Sequence, residues 1–159
     1  MLLYTVYEIK TKTDLWAFSF ETRKSTRLLG TEFSEQDASI SPDGRWITYA
    51  SDESGRMEVY ARPFTPGSAA AAPTTSAKVL VSKGGGNWPK WRSDGKELTY
   101  LSSDRNIMAV EVTDRGLSSF GEPTFLLKTM GVGSIGDATR DGTRALVAAP
   151  VTPNAPPQR

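Results

Sequence analysis

Apolar and polar residues alternate in short runs along most of this chain. Ile47 and Tyr49 fall on one face of the run Trp46-Ile47-Thr48-Tyr49-Ala50, and Val59 and Ala61 share a face in Glu58-Val59-Tyr60-Ala61. A period of two is the mark of a strand half embedded in a core. Comparable runs occupy residues 2–7, 14–20, 26–29, 78–82, 97–102, 106–113, 124–128 and 145–149. No stretch carries a convincing helical period, so the pattern predicts an all-β chain.

These runs are punctuated by a repeat. Ser41-Pro42-Asp43-Gly44 precedes the strand ending Thr48-Tyr49-Ala50-Ser51, and Arg92-Ser93-Asp94-Gly95 precedes the one ending Thr99-Tyr100-Leu101-Ser102. A weaker copy, Thr139-Arg140-Asp141-Gly142, precedes Ala145-Leu146-Val147-Ala148-Ala149. The aspartates are spaced 51 and 47 residues apart. A period of roughly 40 to 50 residues, made of short strands and tight turns, predicts β-propeller blades. Gly44, Gly95 and Gly142 supply the left-handed backbone that a tight reversal needs, and Asp43, Asp94 and Asp141 can accept hydrogen bonds from local amides. These six residues are read as structural turns, not metal ligands.

The strands tally as three, four, four and two, which makes about three four-stranded antiparallel blades. The predicted blades are a partial one at 1–34, full ones at 35–83 and 84–130, and a partial one at 131–149. Residues 66–77 are read as a mobile hairpin loop, and 150–159 as a proline-rich tail. Closed propellers have roughly 4 to 8 blades, so a three-blade arc would leave open sheet edges. Two readings meet this difficulty: the chain is a fragment of a longer protein, or two copies form a homodimer that completes a six-bladed ring.

Composition narrows the chemistry. The chain has 159 residues with 19 basic and 18 acidic side chains, a near balance that gives no reason to expect nucleic acid as a partner. It contains neither histidine nor cysteine. Ser-His-Asp and Cys-His mechanisms are therefore excluded, as are thiolate–imidazole zinc sites. No run is long and apolar enough to span a bilayer, and the first residues read as a strand, not a signal peptide. No cofactor and no metal are expected.

At the Ser41-Pro42-Asp43-Gly44 turn the chain resembles the TolB-type family of WD40-like propellers, whose repeat carries that motif. The later copies keep only its Asp-Gly core. Residues 58–64, 83–91 and 94–98 look like the C-terminal propellers of bacterial multidomain Ser/Thr kinases, although no His-Arg-Asp or Asp-Phe-Gly motif occurs. The likeness extends from Leu2 to about Ala149. It implies a non-catalytic interaction module whose protein or peptide partner engages the loops between blades, and a periplasmic or otherwise extracytoplasmic location. The alternative it implies is the accessory propeller of an enzyme, a Ser/Thr kinase or a propeller-gated peptidase, with its catalytic domain outside this chain.

Asp37, Asn87, Trp88 and Asp137 fall in the predicted inter-blade loops and are the candidate binding residues. Other motifs read as structure. Gly131-Val132-Gly133-Ser134-Ile135-Gly136 matches a dinucleotide fingerprint but lacks the helix that the fingerprint needs. Gly84-Gly85-Gly86 lacks the Gly-Lys-Ser/Thr of a phosphate loop and reads as a flexible connection. Asp52-Glu53 reads as a solvated turn, while Trp91, Tyr49 and Tyr100 read as core.

Overall fold

A computed structural model describes residues 1–64, 78–114, 116 and 119–129, together with the backbone of two further strands at 134–138 and 145–148. Thirteen strands run in chain order among the described residues. They are β1 (Leu2–Glu8), β2 (Lys12–Phe18), β3 (Ser25–Leu29), β4 (Glu35–Ile40), β5 (Trp46–Ser51), β6 (Glu58–Pro63) and β7 (Val79–Leu80), then β8 (Gly86–Trp91), β9 (Glu97–Ser102), β10 (Asn106–Glu111), β11 (Thr124–Lys128), β12 (Ser134–Ala138) and β13 (Ala145–Ala148). No α-helix is found among the described residues, and no helix there is long and apolar enough to cross a membrane.

The strands form antiparallel meanders: β1-β2-β3, β4-β5-β6-β7, β8-β9-β10-β11 and β12-β13. Each sheet pairs only with its sequence neighbours, and the sheets then pack face to face. The strands β4, β8 and β12 begin successive sheets and pack beside one another, β4 on β8 and β8 on β12. They are the innermost strands of adjacent propeller blades. The alternating sequence supplies the reason. Val59 and Ala61 turn toward the third sheet, with Val81, Leu98, Tyr100 and Val110 completing that cluster. On the opposite face Ile47, Tyr49 and Tyr60 meet Leu15, Ala17, Leu28 and Leu29 of the first sheet. Tyr49 and Tyr100, 3 % and 1 % exposed, are core as the sequence suggests.

The Asp-Gly turns close the hairpins β4–β5 and β8–β9. Gly44 and Gly95 have φ of 72° and 71°, and a side chain there would meet little or nothing. Backbone conformation, not space, therefore selects glycine at both. The Asp43 Oδ1 atom accepts from the Arg45 N–H at 3.0 Å and the Ser41 hydroxyl at 2.6 Å. In the third sheet Asp94 Oδ1 accepts from the Lys96 N–H at 3.0 Å, and Arg92 Nε, 2.8 Å away, replaces the serine. Asp141 and Gly142, the third predicted turn, lie outside the described residues, as do the alanine-rich loop and the proline-rich tail.

Sheet-to-sheet contacts are reinforced by polar clasps. The Trp91 indole N–H donates to Thr48 Oγ1 at 3.1 Å, and Phe120 lies edge-on to both Trp46 and Trp91. Asp52 begins a part-exposed turn, as the sequence suggests, but it also makes contacts beyond its own hairpin. It accepts from Lys12 Nζ at 2.8 Å and from the Ser34 N–H at 2.8 Å, which ties the first two sheets together. The glycines at 84–86 are likewise more constrained than a flexible connection. A Cβ on Gly86 would stand 2.9 Å from the Tyr100 ring and 2.8 Å from Ser82 Cβ, so the chain crosses here in close contact.

Candidate functional site

The innermost strands share an irregularity. In β4 the register shifts between Gln36 and Ser39, so Asp37 and Ala38 together oppose Tyr49. In β8 it shifts between Asn87 and Lys90, so Trp88 and Pro89 oppose Tyr100. In β12 it shifts between Ile135 and Ala138, so Gly136 and Asp137 oppose Leu146. Each is a β-bulge, with two residues facing one. All three described innermost strands bend at the same point.

Asp37 and Trp88 take equivalent places in these bulges, with φ of 56° and 52°. A left-handed backbone is tolerable for aspartate but is an outlier for a bulky residue such as tryptophan, and costs about 1–2 kcal/mol. Strain of this kind persists only where the surrounding structure enforces it. Here the enforcement is the pairing of each strand on both sides of its bulge.

The bulges bring two predicted site residues together. Trp88 packs its ring against Leu101 and Ile107, and its N–H groups lie beside the Asp37 carboxylate. Burial pushes the Asp37 carboxyl above the ordinary carboxylate range, against the opposing pull of the Trp88 N–H groups and the Lys90 ammonium. The Asp37 Oδ2 atom is fully buried and finds no hydrogen-bond partner of good geometry. A buried acceptor without a donor costs about 1–3 kcal/mol, so this atom is poised to accept one.

Sequence analysis places all four candidates in loops between blades. The structure places Asp37 in β4, Asn87 and Trp88 in β8, and the backbone of Asp137 in β12. They lie within strands because a bulge keeps the chain paired while turning it. Lys90, which the sequence does not single out, joins the charge environment of Asp37.

A second feature lies at the other end of β4 and β8. The Asp43 and Asp94 turns flank a cleft of about 610 Å³ lined by Arg45, Trp46, Trp91, Lys96 and Asp114 among others. The Arg45 guanidinium spans it, bonded to Asp43 at 2.6 Å and to Asp114 at 3.0 Å. Hydrogen bonds from Ser41 and the Arg45 N–H hold Asp43 at about 2, and the Arg92 guanidinium with the Lys96 N–H holds Asp94 at about 2. These carboxylates are fully ionised and already satisfied, so they are poorly suited to proton transfer.

Sequence reasoning also misses a series of buried acids. Asp14 in β2 and Glu58 at the start of β6 hold equivalent positions in successive sheets, since Asp14-Leu15-Trp16-Ala17 and Glu58-Val59-Tyr60-Ala61 align; the third sheet has Asn106 there. Glu58, 2 % exposed, accepts from the Ser82 hydroxyl and from Arg56 Nε at 2.7 Å. Burial raises its pKa, but those donors and the Gly85 N–H outweigh burial and leave it below the usual value. Asp14, 1 % exposed, is bridged to Arg27 at 2.8 Å. The repeated acid before an apolar pair was the available signal. Among the described residues no three acidic side chains gather as a metal site.

No protein-family model matches this chain, and neither does any curated protein. Solved structures do resemble it. TolB from Acinetobacter baumannii matches with a TM-score of 0.58 and 19 % identity, over 91 % of this chain and 36 % of that one. A protein assigned as a 6-phosphogluconolactonase from Bacteroides uniformis matches at 0.59 and 14 %, over 92 % and 47 %. Oligogalacturonate lyase from Vibrio parahaemolyticus matches at 0.53 and 17 %, over 90 % and 35 %. The chain thus spans less than half the length of each of these structures. At these identities the likeness concerns the fold, one scaffold serving several functions. The fold is that of part of a TolB-like β-propeller.

Proposed function

We propose that this chain is a non-catalytic binding module that engages a protein or peptide at the bulged ends of its innermost strands. The observation that carries the reading is the pairing of Asp37 and Trp88. Two equivalent residues are held in strained backbone, with a buried aspartate oxygen that lacks a donor. The Trp88 indole, only part buried, offers a rigid amphipathic contact beside that aspartate. Asn87, next to the β8 bulge, and Asp137, within the β12 bulge, are the further candidates on these blades. The lack of histidine and cysteine in the sequence favours binding over acid–base or nucleophilic chemistry.

Selection of a random peptide library on the immobilised chain tests this. Enriched peptides are expected to lose at least about tenfold in affinity, or 1.4 kcal/mol, against Asp37→Ala and Trp88→Ala. Equal binding to the wild type and to both folded variants would sink the reading.

A second reading is the accessory propeller of an enzyme. It is favoured by the presence of a lactonase-assigned protein and a lyase among the similar structures. Under it, the chemistry resides in a domain outside this chain, and the longer reading frame would encode that domain.

A further inference from the structure

The cleft flanked by the two Asp-Gly turns lies between two complete four-stranded sheets, and its walls are firmly held. Trp91 ends β8 and Trp46 begins β5, so the hairpins β4–β5 and β8–β9 bring two indoles to one gap. Each is partly buried, and Phe120 braces both, edge-on at ring-centroid distances of 5.1 and 6.0 Å. The Trp91 N–H is tied to Thr48 Oγ1 of the neighbouring sheet, which fixes that ring. Phe120 is itself seated by an antiparallel bridge to Val112, whose N–H donates to Lys96 O at 2.8 Å.

Charge is unevenly distributed round this aromatic gap. Among the described residues that line it, Asp43, Asp94, Glu111 and Asp114 are acids, and only Arg45 and Lys96 are bases. The chain as a whole carries +1, so the cleft is acidic against a nearly neutral background. Arg92, bonded to Asp94, does not offset this, because it also pairs with Glu97 at 3.3 Å. Asp43 and Asp94, held at about 2, stay ionised at neutral pH. Glu111 is exposed, and among the described residues its carboxylate makes no ion pair or hydrogen bond. The chain's own Arg45 shows what such a gap accepts. Its guanidinium reaches from Asp43 to Asp114, at 2.6 and 3.0 Å, and so joins the second sheet to the third.

We propose that this cleft docks an arginine-bearing segment of a protein partner, with a guanidinium laid against the Trp46 and Trp91 rings and bonded to Glu111 and Asp114. Arginine suits the cleft better than lysine. Its flat, weakly hydrated head stacks on indole and bonds a carboxylate through two N–H groups. A volume of about 610 Å³ lies in the range that takes a drug-sized ligand, so there is room for more than one side chain. Nucleic acid and anionic lipid are disfavoured by the same four carboxylates. The docking region is at the other end of β4 and β8 from Asp37 and Trp88, and the inference stands without the binding reading above.

Isothermal titration at low salt tests it, with acetylated tetra-arginine amide as the probe and tetra-lysine and tetra-citrulline as comparisons. Citrulline keeps the shape of arginine and loses its charge. Tetra-arginine is expected to bind tightest, tetra-lysine at least about threefold more weakly, and tetra-citrulline not measurably. Glu111→Gln combined with Asp114→Asn is expected to weaken tetra-arginine at least about fivefold. Both residues are exposed, so the fold is kept, which circular dichroism checks. Glu21→Gln combined with Asp104→Asn removes the same charge from exposed positions elsewhere, and is expected to change affinity by less than about twofold. Trp88→Ala is expected to leave affinity unchanged, which separates this cleft from the bulged strands. Absence of tetra-arginine binding overturns the proposal. So does tetra-lysine or tetra-citrulline binding as tightly as tetra-arginine, or an equal loss from the two charge-removing pairs. A loss from Trp88→Ala as large as that from the Glu111 and Asp114 pair also overturns it.

Discussion

Glu35 shows how a single side chain sets a pH response. It is 2 % exposed, its carboxylate accepts from the Thr31 hydroxyl, and burial pushes its pKa above 4.5. The folded state therefore holds this proton more tightly than the unfolded chain does. The resulting stability is complete below 4.5 and fades as pH rises through the raised folded value. Asp43 and Asp94 act in the opposite sense. Held at about 2, they stabilise above their ordinary 3.8 and lose that contribution as pH falls through the folded value. Glu35→Gln keeps an acceptor for Thr31 without a charge to bury. It is expected to raise the urea midpoint at neutral pH, and the gain is expected to shrink as pH falls below 4.5, where the wild-type carboxyl is itself protonated. A gain independent of pH, or a loss at neutrality, would contradict this account.

Between the second and third blades, stability is concentrated where β6, β7 and β8 converge. The Ser82 hydroxyl donates to Glu58 and accepts from the Val59 N–H at 2.7 Å, and all three residues are buried. The Gly86 N–H donates to Met57 O at 2.9 Å, drawing the next blade in over this network. Ser82→Ala leaves the Val59 N–H without this acceptor and removes a donor from an ionised carboxylate. The expected loss is about 1–3 kcal/mol in denaturant unfolding. An unchanged midpoint would show that the serine is dispensable.

This scale also shows what the sequence discloses and what it hides. The meander of short strands is legible because alternation marks runs such as 46–50 and 58–61, and the Asp-Gly reversals are legible because positive φ selects glycine. The bulges are not. An aspartate and a tryptophan occupy the same strained position, so no shared residue type marks it, and the sequence alone places all four candidates in loops. The contact that Asp52 makes with Lys12 is hidden for a related reason. A hairpin tip looks solvated from its own sequence, and only the neighbouring blade supplies Lys12.

Among the described residues the blade contacts run from the first sheet to the second and from the second to the third, so stability builds from repeat to repeat. The central strands β5 and β6 bury most of their residues and β9 and β10 half of theirs, whereas β11 is exposed along its length. Amide hydrogen exchange is expected to be slowest in those four strands and fastest in β11. Uniform protection across the chain would contradict a nearest-neighbour stack. The recurring bulge has a consequence for variation. Because the partner strand dictates the backbone there, the identity of the side chain is left free, and successive repeats offer an acid and then an indole from one spatial address. Such a scaffold can acquire a new specificity by exchanging one amino acid per repeat, with the architecture untouched.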